Sequence, residues 1–363
     1  MIDRRVFIHF DWILFVSAML LAIIGIANLY SATAGTGSSL YIKQSYWLII
    51  GITAIGIAAL FNYSQIERFA YFLYGMSITL LVAVNLFGKT TAGAKRWLDL
   101  GFVSFQPSEF AKIALVVMLA KYFNETSIPR QGMSIKDLML PGFILIVPFV
   151  LVAKQPDLGT ALILLLIFVS ITLFMKVRWK TIAGIAAAIV PFIPFAWHFL
   201  KDYQKARLLS FIDPKLDPLG TGYHLAQSKI AIGSGGFVGK GFVMGTQGQL
   251  KFLPEHHTDF IFSVLAEEWG FIGSVVVIVL FLIIIMWGLH IAQHSKDRFG
   301  TILAFGVSAL FFWHVAINIG MVMGLLPVVG VPLPFMSYGG SFLLTSMVGI
   351  GVLINVSMRR FMF

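Results

Sequence analysis

Long apolar runs separated by short polar segments make up most of the 363-residue chain. About ten of them suit a transmembrane helix, which needs roughly 17–25 residues to cross the hydrocarbon core of a bilayer. The pattern predicts an all-α polytopic membrane protein that forms a single transmembrane domain over residues 1–363. The fifth run is short and contains Pro148, so its bounds are the least defined. The predicted spans are 12–30, 45–62, 70–87, 108–124, 138–153, 158–175, 181–200, 264–290, 300–323 and 341–357.

The first run has some features of a cleaved signal peptide. Arg4 and Arg5 precede it, and Ala32-Thr33-Ala34 resembles a signal-peptidase site. The run is nevertheless longer than the roughly 7–15 apolar residues of a signal peptide, and further spans follow it directly. We therefore interpret it as a retained first helix.

An even number of crossings places both termini on the same side of the membrane. With that side as the cytoplasm, every inside segment carries at least one Lys or Arg, in agreement with the positive-inside rule. This predicts a multi-pass protein of the cytoplasmic (inner) membrane with both termini in the cytoplasm. The notable polar stretches then lie outside, at 88–107, 154–157, 201–263 and 324–340. No inside segment is large enough to bind a nucleotide and no GxxxxGK[ST] motif occurs, so we expect an extracytoplasmic active site.

Composition narrows the function classes. The chain is 58% hydrophobic and 12% charged, about half the charge of a soluble domain. Cysteine is absent from the sequence, which excludes disulfides and thiolate metal sites. The net charge of +10 is typical of orientation signals and contact with anionic headgroups. No nucleic-acid-binding motif appears, so nucleic acid is not an expected partner.

The long outside segment, 201–263, is rich in glycine, with nine glycines between Gly220 and Gly248. A flexible linker would have this composition, but it would lack apolar residues such as Phe237 and Phe242. We therefore expect a long ordered extracytoplasmic loop between helices 7 and 8 that lies on the membrane. Its seven Lys and Arg against five Asp and Glu favour an anionic substrate.

The end of this loop combines acids with an apolar run in LPEHHTDFIFSVLAEEWG, residues 253–270. Thr258 and Asp259 are typical helix N-cap residues, so Asp259 has a purely structural interpretation. The alternative is a carboxylate at the boundary of water and membrane, where desolvation favours a general base. Glu267 and Glu268 fall about two turns further along the helix, where we expect them to face the bundle or pair with a cation.

Two more polar clusters occur on the outer side. Glu109 and Lys112 are three residues apart on one helix face, either as a buried ion pair or as part of a polar pocket. Arg96 precedes them and has the forked geometry that binds phosphate. Asp157 lies at a tight outside turn and either caps the next helix or faces the same pocket.

The last outside stretch, GLLPVVGVPLPFMSYGGS, has a Pro and Gly density that predicts irregular backbone. Irregular backbone at membrane depth requires burial in protein or a wet cavity. Ser337 in this stretch is accordingly a candidate cavity residue.

Taken together, these segments resemble the SEDS family (shape, elongation, division and sporulation) of membrane peptidoglycan polymerases. The resemblance rests on GAKRWLDLG…FQPSEFAK, KQPDLGTA, GYHLAQSKIAIGSGGFVGKG, LPEHHTDFIFSVLAEEWG and PLPFMSYGGS. The run QGQLKFLPEHHTDFIFSVLAEE is more similar to the elongation branch than to the division paralogue. The resemblance implies polymerisation of lipid II in the outer leaflet with release of undecaprenyl pyrophosphate, for cell-wall elongation and rod shape.

The resemblance also implies roles for individual residues. Asp259 falls on the essential aspartate and is expected to accept the proton of the acceptor sugar 4-hydroxyl in an inverting displacement. The leaving pyrophosphate would be stabilised by nearby cations or by a divalent ion. The candidate substrate-binding or cavity residues are Arg96, Glu109, Lys112, Asp157, Lys229, Lys240, Glu267, Glu268 and Ser337.

The sequence also bears on metal binding, cofactors and partners. His256 and His257 are adjacent, which is poor spacing for a helical metal site, so no protein metal site is predicted. No cofactor is required by the sequence, although Mg²⁺ or Mn²⁺ remains an option. The family implies a class B penicillin-binding protein (a transpeptidase) and other elongation-complex membrane proteins as partners. A flippase or transporter of lipid-linked precursors is the competing function, and it predicts functional residues near the midplane.

Overall fold

The computed structural model describes residues 10–34, 38–91, 94–99, 101, 104–192, 198, 200–213, 220–246 and 257–360. Within these ranges the chain forms thirteen α-helices. They are α1 Trp12–Thr33, α2 Leu40–Leu60, α3 Tyr63–Arg68, α4 Ala70–Phe87, α5 Pro107–Glu125, α6 Met139–Lys154, α7 Leu158–Phe174, α8 Trp179–Ile189, α9 Asp202–Ile212, α10 Thr221–Ser234, α11 Ile261–Gln293, α12 Arg298–Val322 and α13 Gly340–Arg359.

The predicted spans coincide with ten of these helices, and the multi-pass membrane architecture is confirmed. Six helices, α1, α2, α4, α11, α12 and α13, are long and apolar enough to cross a membrane, and α6 and α7 are shorter apolar helices. The seventh predicted span, 181–200, differs most from its prediction. Helix α8 ends at Ile189, a 3₁₀ turn covers Val190–Phe192, and residues 193–197 lie outside the described part of the chain.

The bundle is built around α13, whose central residues are almost all buried, as its mixture of small and apolar side chains permits. It packs against α2, and α11 packs against both α12 and α1. The irregular segment 324–339 also enters the bundle beside α1. Gly25 permits this approach, because a Cβ at that position would lie 2.6 Å from the Cα of Met336.

A small antiparallel sheet between α4 and α5 was not predicted from the sequence. Its strands are β1 Lys89–Thr91, β2 Ala94–Asp99 and β3 Ser104–Phe105, in the order β1-β2-β3. In the register, Lys89 pairs with Trp97 and Leu98 pairs with Phe105. The sheet carries Arg96 on its central strand, which fixes the position of that cation above the bundle.

The long loop 201–263 is ordered where the structure describes it, so the linker interpretation is wrong for these residues. Helices α9 and α10 pack against each other, and α10 packs against α11. The hydroxyl of Ser228 in α10 lies 2.8 Å from the hydroxyl of Ser263 and donates to the carbonyl of Val322 at 2.7 Å. These buried contacts dock the loop directly onto α11 and α12.

Helix α11 is interrupted at Gly270, whose φ of 63° and ψ of −157° are not helical. The loop segment 235–246 fits into this interruption. The amides of Lys240 and Gly241 donate to the carbonyls of Glu267 and Glu268 at 3.0 and 3.1 Å. The backbone groups that the interruption frees are therefore satisfied by the loop, as the membrane interior requires.

Candidate functional site

Asp259 lies in a turn formed by residues 257–260, directly before α11. Helix α11 begins at Ile261, its N-cap residue is Phe260, and no side chain caps it. The interpretation of Thr258 or Asp259 as the N-cap residue is therefore wrong. The turn ends one residue later than the capping pattern indicated, because tertiary contacts rather than a local cap hold it.

Those contacts come from the segment 324–339 and from α12. The hydroxyl of Ser337 donates to the carbonyl of Thr258 at 2.6 Å, and the amide of Tyr338 donates to the carbonyl of His257 at 2.9 Å. The side-chain amide of Asn318 donates to the carbonyl of Asp259 at 2.9 Å and to that of Val331 at 2.7 Å. Three consecutive carbonyls of the turn are thus occupied, which leaves the Asp259 side chain in a defined position.

The Asp259 carboxylate is half-buried and faces Gly330. A Cβ built on Gly330 would lie 3.2 Å from Asp259 Oδ2 and 3.9 Å from Arg207 Nη1. The guanidinium of Arg207, in α9, therefore comes close to the predicted base. Sequence reasoning counted Arg207 only among the loop cations, because nothing local connects it with a residue 52 positions away.

Lys112 and Glu109 form the buried ion pair that was one of the two interpretations. Lys112 Nζ lies 3.0 and 2.8 Å from the two carboxylate oxygens of Glu109, and these side chains are only 1% and 3% exposed. His314 completes the cluster, with Nε2 at 2.9 Å from Lys112 Nζ. The sequence offered one signal for His314, a single imidazole in an otherwise apolar helix.

This cluster is connected to the Asp259 turn through the segment 324–339. His314 Nδ1 lies 3.2 Å from the carbonyl of Pro332, next to Val331, whose carbonyl accepts from Asn318. Two sets of polar contacts, joined by the backbone of Val331 and Pro332, thus connect Lys112 with the Asp259 backbone. The ion pair can position the turn without itself being exposed.

Arg96 and Asp157 meet at the N-terminal end of α7. Arg96 Nε donates to the carbonyl of Gln155 at 3.3 Å, Nη2 donates to the carbonyl of Pro156, and Nη1 lies 3.9 Å from Asp157. Asp157 also caps α7, where it accepts from the amide and hydroxyl of Thr160 at 3.3 and 3.0 Å. The capping interpretation of Asp157 is confirmed, and the same carboxylate also belongs to a polar cluster.

Glu267 and Glu268 lie at the interruption of α11, about 9 Å along the helix from its first residue. Lys240 Nζ pairs with Glu267 at 2.6 Å, and the amide and hydroxyl of Thr246 donate to the same oxygen at 2.9 Å. Glu268 accepts from the hydroxyl of Ser31 at 2.5 Å. The expectation that these acids face the bundle or a cation is confirmed, and Lys240 is the cation.

The remaining predicted cation, Lys229, is exposed on α10. Its ammonium lies against Gly324, so that a Cβ added to this glycine would be only 2.5 Å from Lys229 Nζ. Its ammonium forms no hydrogen bond or ion pair with the residues described. It is therefore available to a ligand in a way that Lys112 and Lys240 are not.

His257 lies beside the segment 324–339. The His257 ring lies 6.3 Å from that of Tyr338. Glu255 and His256 lie outside the described residues. Among the residues that are described, no group of three or more His, Asp or Glu side chains could hold a metal ion.

Comparison with known proteins identifies the family. The chain matches the model of the "Cell cycle protein" family of FtsW, RodA and SpoVE over residues 9–361. This chain belongs to that family. The resemblance to SEDS proteins is thereby confirmed.

The curated relatives are named as peptidoglycan glycosyltransferases. The chain is 46% identical over 317 residues to the peptidoglycan glycosyltransferase MrdB of Escherichia coli (strain K12), covering 86% of this chain and 85% of that protein. It is 36% identical over 363 residues to the probable peptidoglycan glycosyltransferase FtsW of Geobacter sp. (strain M18), covering 96% and 97%. A solved chain from a peptidoglycan synthase complex that coordinates polymerization and crosslinking has a TM-score of 0.85 and 31% identity, covering 98% and 99%.

Proposed function

We propose that this protein is an elongation-type peptidoglycan glycosyltransferase that polymerises lipid II at the outer face of the cytoplasmic membrane. The observation that carries the proposal is the 46% identity to MrdB over 86% of the chain. The run QGQLKFLPEHHTDFIFSVLAEE, which is more similar to the elongation branch, also supports the elongation role over the division role. The product chain would remain lipid-linked, and undecaprenyl pyrophosphate would leave.

Asp259 is the proposed general base. The turn that contains it is held at three consecutive backbone carbonyls, so its carboxylate needs little reorganisation before reaction. It would take the proton of the acceptor 4-hydroxyl while that oxygen attacks the anomeric carbon of the donor. The C–O bond to the pyrophosphate breaks in the same step, so the configuration inverts and no general acid is needed.

The charge that develops on the pyrophosphate needs cations, and the geometry ranks the candidates. Lys112 and Lys240 are already paired with Glu109 and Glu267, and two donors of Arg96 bind backbone carbonyls. Lys229 is exposed, and Arg207 lies beside the proposed base. We therefore assign the pyrophosphate first to Lys229, which is exposed, and to Arg207 because of its position beside Asp259, with Mg²⁺ or Mn²⁺ as an additional counter-ion brought by the substrate.

The partner and the orientation are also proposals. The solved chain similar to this one belongs to a complex that couples polymerization with crosslinking, so we propose a class B penicillin-binding protein as a partner here. Other elongation-complex membrane proteins would join them. The distribution of Lys and Arg supports cytoplasmic termini and an extracytoplasmic Asp259.

The test is polymerisation of purified lipid II by the purified protein, with and without its transpeptidase, read as glycan chain length. Asp259→Asn keeps the shape of the side chain and removes the base, so we expect a rate loss of about 10²–10⁴-fold. Asp202→Asn, an exposed aspartate of the same loop, is the matched control and should keep wild-type activity. An Asp259→Asn enzyme that polymerises at the wild-type rate would exclude the base assignment. Transport of intact lipid II across vesicles without polymer would favour the flippase function instead.

A further inference from the structure

A cavity of about 430 Å³ lies on the membrane side of the bundle, at the interruption of α11. Its walls are Ile24 of α1, the loop residues Val238 and Phe242, and α11 from Glu268 to Val277. This volume falls within the range of roughly 300–1,000 Å³ that is usual for small-molecule sites. Glu268 is the single ionisable residue that lines it.

The cavity has a polar end and an apolar end along the membrane normal. Helix α1 has 22 residues and is therefore about 33 Å long, close to the thickness of the hydrocarbon core. Ser31 lies two residues from its outer end and bonds Glu268, which places Glu268 near the headgroup boundary. Ile24 is about 10 Å from Ser31 along α1, and Val277 is about 13 Å from Glu268 along α11. The cavity thus runs from the headgroup level toward the bilayer midplane, given the proposed orientation.

The polar end carries an incompletely satisfied carboxylate. Glu268 is 3% exposed, and its Oε1 accepts from Ser31 and from the amide of Gly245 at 3.4 Å, while the amide of Val243 also faces the carboxylate. Its Oε2 is buried and has no hydrogen-bond partner among the described residues. Lys240, the cation nearest along the loop, is already paired with Glu267.

A buried carboxylate without a counter-charge is costly, and a cation with N–H groups would relieve that cost. An anionic ligand such as a lipid pyrophosphate would be repelled by the same group. The complementary ligand is therefore an amphiphile with a primary ammonium at headgroup level and a hydrocarbon chain below it.

We propose that this cavity binds a phospholipid of the ethanolamine class from the outer leaflet. One acyl chain lies along α1 and α11, and the Glu268 side chain turns on lipid binding so that its carboxylate, now buried, accepts a hydrogen bond from the ammonium. The site is separate from Asp259 and would stabilise the interruption of α11 that holds the loop segment 235–246.

The test compares lipids that differ only in the headgroup. The full-length protein is reconstituted with phosphatidylethanolamine, phosphatidylcholine or phosphatidylglycerol, and retained lipid is measured by native mass spectrometry. We expect phosphatidylethanolamine to be retained at least about tenfold better than the other two, because the methylated ammonium cannot donate and the glycerol headgroup is anionic. Equal retention of the three lipids would overturn the proposal.

Two variants locate the site. Glu268→Gln should abolish the preference for phosphatidylethanolamine, because the amide carries no charge. An unchanged preference would contradict the role of the charged carboxylate and would be the result expected of a protonated Glu268. Val276→Trp fills the apolar end and should reduce retention, whereas Ile278→Trp, exposed on the same helix but outside the cavity, should not. Equal retention in the two Trp variants would exclude this cavity even if Glu268→Gln fails to fold. None of these measurements uses lipid II, so they stand apart from the test of polymerase activity.

Discussion

The buried pair of Lys112 and Glu109 makes the most quantitative prediction. Both side chains are almost completely buried and lie within 3.0 Å of each other. Replacing Lys112 with Met leaves the Glu109 carboxylate without its counter-charge, which costs about 3–5 kcal/mol in such sites. Adding Glu109→Gln removes the uncompensated charge, so we expect the double variant to recover at least about 2 kcal/mol of that loss.

The assay is a double-mutant cycle of unfolding free energies in mild detergent, with lipid II polymerisation measured on the same samples. The surface pair Lys121 and Glu125 on the same helix, 2.7 Å apart with the glutamate half exposed, is the matched control. Its cycle should give only about 0.3–0.5 kcal/mol. Additive losses at Lys112 and Glu109, with a coupling below about 0.5 kcal/mol, would refute the reasoning. A stable double variant that lacks activity would instead indicate that the pair acts in catalysis, by contact with substrate or by positioning the Asp259 turn.

Two further predictions concern packing and pH. Gly25→Ala should lower the unfolding free energy by about 1–3 kcal/mol and reduce polymerisation, because the new Cβ meets the backbone of Met336, next to the Ser337 that holds the Asp259 turn. Gly56→Ala is the control: it has open space around it and should be neutral or stabilising in thermal unfolding. The amide and hydroxyl of Ser134 donate to the Asp137 carboxylate and hold its pKa below the ordinary value. The charged carboxylate therefore stabilises the fold at pH values above the unfolded-state pKa, and this stabilisation is lost as the pH falls through the folded-state pKa. Asp137→Asn should therefore lower the unfolding free energy at pH 7 and approach the wild type near pH 3; a constant difference across that range would contradict this.

Some parts of the molecule followed from local sequence alone. Apolar runs of membrane-spanning length located ten helices, because each helix must satisfy its own backbone within the bilayer. The pairing of Glu109 with Lys112 is also local, since residues three apart share a helix face. The Pro and Gly density of the segment 324–339 correctly indicated irregular backbone.

The tertiary structure decided which of these segments act together. The capping pattern at Asp259 was misleading, because Ser337 and Asn318, far away in sequence, hold that turn in place of a local cap. Arg207 reaches the site and His314 reaches Lys112 only through the packing of helices that the chain pattern does not pair. Membrane insertion is set by hydrophobicity along one segment, whereas the site depends on side-chain contacts between segments as far as 202 residues apart. The sequence alone therefore determined what lies in the membrane, and the packing of the bundle decided what lies beside Asp259.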